Sequence, residues 1–204
     1  MHAAAVSLAA TQAAIERTRT TVAIRHALAP GIVDPRAMTF AHDDVDYARI
    51  RGALSAHLRG DESRVVLSCS VYNGFAPRLA AEFGLPVERS DDAGARAIVA
   101  RAARIGLAVS YPPSYDVVES HLHRLAREAG RTIDAVPLLA DNAFAFADDT
   151  ARYARVLLDA VASTPEVAAI FLAQYSMDPY APIVSESTRI PVVSALDATL
   201  AALR

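Results

Sequence analysis

The sequence predicts an α/β protein of two pseudo-symmetric lobes, each a mainly parallel sheet flanked by helices. Three observations carry this. Short apolar runs bounded by turn residues alternate with segments of helical spacing, the pattern that builds parallel strands joined by helical crossovers. Motifs recur at a nearly constant offset: VSLAATQAAIE (6–16) lies against VSYPPSYDVVE (109–119), with 109 − 6 = 103. DDVDYARI (43–50) lies against DDTARYARV (148–156), with the Tyr-Ala-Arg triplet shifted by 153 − 47 = 106, and VVLSCS (65–70) against IFLAQYS (170–176) sets Cys69 opposite Gln174, 174 − 69 = 105. Finally, 204 residues at 53% hydrophobic can bury one substantial core or two small ones that share an interface.

Taken in order, the apolar runs 3–8, 20–28, 64–69, 104–110, 132–139, 168–174 and 190–195 read as buried strands. Between them, 10–18, 46–59, 77–83, 93–103, 116–130, 150–162 and 196–204 carry good helix formers at helical spacing. Gly84 and Gly130 suit helix ends, and the pairs Asp43-Asp44 and Asp148-Asp149 suit helix starts, where acidic groups meet the positive end of the dipole. The division expected is 1–92 with 185–204 in the first lobe and 95–180 in the second.

Composition excludes several classes of function. A net charge of −3 with no basic run leaves no electrostatic footprint for nucleic acid. Every apolar stretch is broken well before the ~18 residues of a membrane span. Residues 1–18 lack a basic leader, so a cytoplasmic protein is expected. All 20 basic residues are Arg, which removes a Schiff-base lysine, a phosphate-loop lysine and lysine-anchored pyridoxal phosphate. A single cysteine can form neither an internal disulfide nor a Cys-based zinc site. His121 and His123, two apart on a helix, make a poor metal pair and read as helix-surface residues, while His42 belongs to a helix start. No metal and no cofactor is expected.

In an open parallel sheet, ligands sit beyond the carboxyl ends of the strands. Ser7 and Thr11, Cys69 and Ser70, Ser110 and Ser114, and Gln174 to Ser176 occupy such ends, so two facing lobes would gather them around one cleft. Cys69 is either a packed apolar filler or a reagent. As a reagent, it opens a polar turn whose N–H groups can hold a carboxylate and lower the thiol pKa from about 8.5. Ser70 and Asn73 could then stabilise enolate oxygens, with Ser110, Ser114 and Gln174 orienting the rest of a substrate. Turn formation and capping are the alternative for these serines and Asn73. Tyr111, Tyr115 and Tyr175 either line a pocket or pack between lobes.

LSCSVYN (67–73), FLAQYSM (171–177) followed by IPVVSALDATL (190–200), and IGLAVSYPPS (105–114) resemble the motifs of the aspartate/glutamate/hydantoin racemase superfamily, which includes arylmalonate decarboxylase and maleate isomerase. The likeness runs over almost the whole chain. It implies a cofactor-independent enzyme moving a proton beside a carboxylate or carbonyl, with Cys69 as acid/base and a small carboxylate or hydantoin-like molecule as substrate. Two-base members place a second cysteine where this chain has Gln174, and an amide neither takes nor releases a proton near neutral pH. Tyr175 is the one neighbouring group that could act as second acid, against an ordinary phenol pKa of about 10. One-face protonation, as in single-cysteine decarboxylases, is the alternative, although there the cysteine occupies the second site and here the first. A binding protein that has lost turnover is a further alternative, and a homo-oligomer is compatible with the helical faces.

Overall fold

A computed structural model of the chain describes residues 1–2, 5–19, 21–28, 43–141, 143–146, 149–163 and 166–203. Its helices and strands follow one another as α1 (Ala5–Thr18), α2 (Asp44–His57), β1 (Val65–Val66), α3 (Ala76–Phe83), β2 (Val87–Glu88), α4 (Asp92–Arg101) and β3 (Arg104–Val109). The chain continues through α5 (Tyr115–Glu128), β4 (Asp134–Leu139), α6 (Thr150–Ala162), β5 (Ala169–Leu172), α7 (Ala181–Thr188), β6 (Val192–Ser194) and α8 (Ala195–Ala202). Strands β4, β3, β5 and β6 form one parallel sheet in that order, and β1 pairs in parallel with β2.

The β1–β2 pair continues sideways. The Ser68 N–H donates to the Met1 carbonyl, the His2 N–H to the Ala27 carbonyl, and His2 bridges Leu28 in parallel. The neighbour order 27–28, 1–2, β1, β2 therefore repeats β4, β3, β5, β6. The Ala173 N–H donates to the Ala108 carbonyl as Ser68 does to Met1, so Ser68 and Ala173 correspond, 173 − 68 = 105. From there the repeat holds at one offset. The 3₁₀ turns Ser70–Phe75 and Tyr175–Tyr180 match, α3 matches α7, and both helices end in a left-handed residue, Gly84 at φ 67° and Arg189 at φ 59°. An arginine has a Cβ where the left-handed region favours none. Arg189→Gly should raise stability by about 0.5–1 kcal/mol in urea unfolding.

Two expected strands are corrected. Residues 5–18 form helix α1 rather than continuing a strand over 3–8. This stretch is rich in alanine, the strongest helix former, and its buried face is Ser7, Ala10, Thr11 and Ala14, small enough for close packing. The strand position falls to Met1 and His2 instead, and the 103-residue match of Val6-Ser7 with Val109-Ser110 is not a structural equivalence. Residues 21–28 are irregular apart from the bridge at Leu28, and Val22 and Ile24 remain exposed, so burial does not reward a full strand there. The helix-start reading holds at Asp43 and Asp149, whose carboxylates cap α2 and α6. His42 lies outside the described residues.

One core, built from α2, α3, β1 and the turn 70–75, fills the first lobe. Two others cover the faces of the four-stranded sheet, one under α6 and α7, the other under α1, α4, α5 and α8. At the C-terminal end β6 pairs with β5, and α8 packs on α4 and α1 in the core over the same four-stranded sheet. The α4–α8 crossing is close because Gly94 has no side chain. A Cβ there would stand 2.6 Å from Phe171 Cε2 and 3.0 Å from Ala195 Cα. Gly94→Ala should cost about 1–2 kcal/mol, the overpacking strain exceeding the gain in helix propensity, read as a fall in Tm.

Candidate active site

Cys69 follows β1 with extended backbone and opens the 3₁₀ turn Ser70–Phe75. A 3₁₀ turn leaves its first N–H groups without intrahelical partners. The Val71 N–H, and the Tyr72 N–H that also donates to the Cys69 carbonyl at 3.0 Å, lie near the Cys69 sulfur and favour the thiolate, but desolvation is the larger effect and pushes the thiol up to about 12. The expected lowering is thereby corrected: close packing around the sulfur outweighs two N–H groups, although the residue as a whole keeps part of its surface open. At neutral pH Cys69 is a protonated acid.

Gln174 occupies the matching position in the second lobe, after β5 and before its own 3₁₀ turn. Its side chain spans the lobes. Oε1 accepts from the Ser110 N–H at 2.6 Å and the Ser110 hydroxyl at 2.8 Å, while Nε2 donates to Ser114 Oγ at 3.3 Å and Ser70 Oγ at 3.5 Å. Ser70, Ser110 and Ser114 are buried. Four of the residues singled out in the sequence thus meet through hydrogen bonds, and one of them, Ser70, follows Cys69 in the chain.

Other predicted residues sit elsewhere. Asn73 is buried, with its carbonyl accepting from the Ser90 N–H and its amide donating to the Ser90 hydroxyl, both at 3.0 Å. It ties the turn to the segment after β2. Asp178 does the same in the second lobe, accepting from the Ser194 hydroxyl and from Arg17 at 2.9 Å. Ser7 and Thr11 lie within α1, where the Thr11 hydroxyl donates to the Ser7 carbonyl at 2.7 Å, so the helix removes them from the strand end expected for them. The Tyr175 hydroxyl is buried near Thr199 of α8, and burial holds its pKa above the ordinary phenol range.

Two neighbours of the site were not legible. Tyr72, three residues after Cys69, has its phenol pKa raised by burial first and then by the nearby Cys69 and Asp46 charges. Tyr153 of α6 lies against Ser110 and bonds Ser176 at 3.1 Å, which couples the Ser110 hydroxyl to the second-lobe core. The sequence signal for Tyr153 was its place in the Tyr-Ala-Arg repeat. His121 also differs from the surface position expected. It is buried between Asp92 at 3.0 Å and Arg124 at 2.8 Å, joining α5 to the start of α4. That contact first, and Arg96 beside it, hold the Asp92 carboxyl below the usual carboxylate range.

Cavities of about 690 and 720 Å³ open beside α8, the first bordered by Thr11, Ser68 and Tyr175, the second by α3 and α4. Cys69, Ser110, Ser114 and Gln174 border neither. Among the described residues no cluster of three or more His, Cys, Asp or Glu is arranged to hold a metal, and no helix is long and apolar enough to cross a membrane.

No family model and no curated protein sequence matches the chain. Solved structures do. Allantoin racemase from Klebsiella pneumoniae is similar over 99% of this chain and 82% of its own, at 15% identity and a TM-score of 0.67. Maleate isomerase Iso from Pseudomonas putida S16 aligns over 97% of this chain and 86% of its own, at 21% identity and a TM-score of 0.62. Unliganded arylmalonate decarboxylase aligns over 81% and 77%, at 21% identity and a TM-score of 0.53. The chain shares the two-lobed α/β fold of these structures.

Proposed function

We propose that this protein is a cofactor-independent isomerase or racemase-like enzyme in which Cys69 transfers a proton at a carbon beside a carbonyl or carboxyl group. The observation that carries the reading is the position of the lone thiol: it follows a strand, faces turn N–H groups, and adjoins through Ser70 the polar cluster made with Ser110, Ser114 and Gln174. The fold shared with a racemase, an isomerase and a decarboxylase supports it. Donors fixed in a buried site stabilise developing enolate charge without reorganising, and each can contribute about 3 kcal/mol. The Ser110 N–H and hydroxyl are suited to that task, with Asn73 positioning the turn that carries Cys69.

A lyase is the second reading, favoured by the raised thiol pKa. Loss of carbon dioxide from a 2-substituted malonate leaves an enediolate, which the Cys69 S–H protonates on one face, and water then restores the thiol. Gln174 offers no second proton for inversion.

The test is proton NMR in deuterated water with hydantoins, amino acids, maleate and 2-substituted malonates. Wild type should exchange the α-hydrogen or release carbon dioxide, and Cys69→Ala should lose at least about 10³-fold of that rate. Exchange that survives Cys69→Ala would remove Cys69 from the reaction, and binding without turnover across the panel would remove the enzyme reading.

A further inference from the structure

The Gln174 amide reports the polarity of the space it fills. A backbone N–H can only donate, so the Ser110 N–H at 2.6 Å fixes Oε1 on that side and Nε2 on the other, with no freedom to flip the amide. The Ser110 hydroxyl donates to the same oxygen. On the opposite side the Ser114 hydroxyl proton is committed to the Tyr111 carbonyl at 2.7 Å, so Ser114 presents lone pairs inward. The space therefore offers two donors to one atom and an acceptor to its neighbour. It matches a C=O beside an N–H.

A carboxylate fits this arrangement poorly. One oxygen would take the Ser110 donors, but the other would meet the Ser114 lone pairs unless Ser114 gave up its bond to Tyr111. The amide's contacts are all with neutral groups, and Ser70, Ser110 and Ser114 are almost wholly buried, at 2%, 1% and 0% exposure. A full charge would be desolvated there with no cation in contact to offset it.

Resting on the reading of Cys69 as the proton-transfer residue, we propose that the Gln174 side chain is an internal occupant of a subsite for the C(=O)–N–H edge of a neutral carboxamide, imide or ureide. Such a ligand binds by displacing it. The ligand's carbonyl then receives the Ser110 donors, and its N–H faces Ser114.

The test titrates propionamide and propionate, equal in shape and opposite in polarity, against ¹⁵N-labelled wild type, Gln174→Ala and Gln174→Ser, following the Ser110 amide resonance. Propionamide should bind both variants at least tenfold more tightly than wild type, and at least tenfold more tightly than propionate does. Adding Ser114→Ala to Gln174→Ala should erase the preference. Propionate binding as well as propionamide, unchanged affinity on removing the Gln174 side chain, or no binding to either variant would overturn the proposal. A ligand-free arm needs no affinity at all: Gln174→Glu should lower Tm at pH 7 and recover it on acidification, and a wild-type Tm at pH 7 would count against the subsite. These readouts are independent of turnover. Loss of Cys69-dependent exchange with the propionamide preference intact would remove the proposed reaction and leave the subsite.

Discussion

Iodoacetamide should modify Cys69 roughly sixtyfold more slowly at pH 8 than it modifies a free thiol, and the rate should climb about tenfold per pH unit to at least pH 10. The expectation follows from the thiol pKa of about 12. At pH 8 roughly one molecule in 10⁴ carries the thiolate, against about a quarter for a free cysteine of pKa about 8.5. A more basic thiolate is a better nucleophile, which returns roughly a factor of 40 and leaves a net difference of roughly sixtyfold. A free thiol levels off near pH 9, whereas Cys69 keeps rising, so the shape of the profile decides the matter. A plateau at or below pH 8.5 would mean that the Val71 and Tyr72 N–H groups prevail over burial and that Cys69 rests as a base. The linkage has the same sign. A folded pKa above the unfolded value contributes stability that is complete below about pH 8.5 and declines as pH rises towards 12.

Asp178→Ala should cost about 3 kcal/mol in urea unfolding, and Asp178→Asn about 1 kcal/mol. The Asp178 carboxylate is fully buried and takes the Ser194 hydroxyl and Arg17, which also reaches Asp197 at 2.5 Å. This links α1, β6 and α8 to the turn that begins after Gln174. Truncation to alanine leaves the Ser194 hydroxyl and one face of Arg17 without their acceptor in the interior. Asparagine keeps an acceptor for Ser194, and Asn73 performs the same task against Ser90 at the matching point of the first lobe, 178 − 73 = 105. Arg17 is half exposed and can rehydrate, which limits the share of the ion pair itself. A double-mutant cycle with Arg17→Ala measures that share, and equal losses for the alanine and asparagine variants would assign the effect to charge instead of turn anchoring.

Most of the architecture was legible because it depends on local signals. The apolar runs 104–110, 132–139 and 168–174 hold β3, β4 and β5, and the aspartates at 43 and 149 cap the helices they precede. The match of Cys69 with Gln174 survives as well, since both follow a strand and open a 3₁₀ turn. The N-terminal stretch was misread for a reason of the same kind. An alanine-rich run with few β-branched residues gives little bulk to separate strand from helix, and only the sheet around Met1 and His2 shows where the strand lies.

What the sequence by itself determined is the doubled α/β plan, the single thiol, and the amide standing where a symmetric chain would repeat it. These depend on residue type, periodicity and spacing. Tertiary structure alone decided the protonation of Cys69, the bridging of Ser70, Ser110 and Ser114 by Gln174, and the diversion of Asn73 to Ser90. Desolvation and hydrogen-bond direction belong to the surroundings of an atom, and residues 104 apart in the chain become surroundings only when the lobes close.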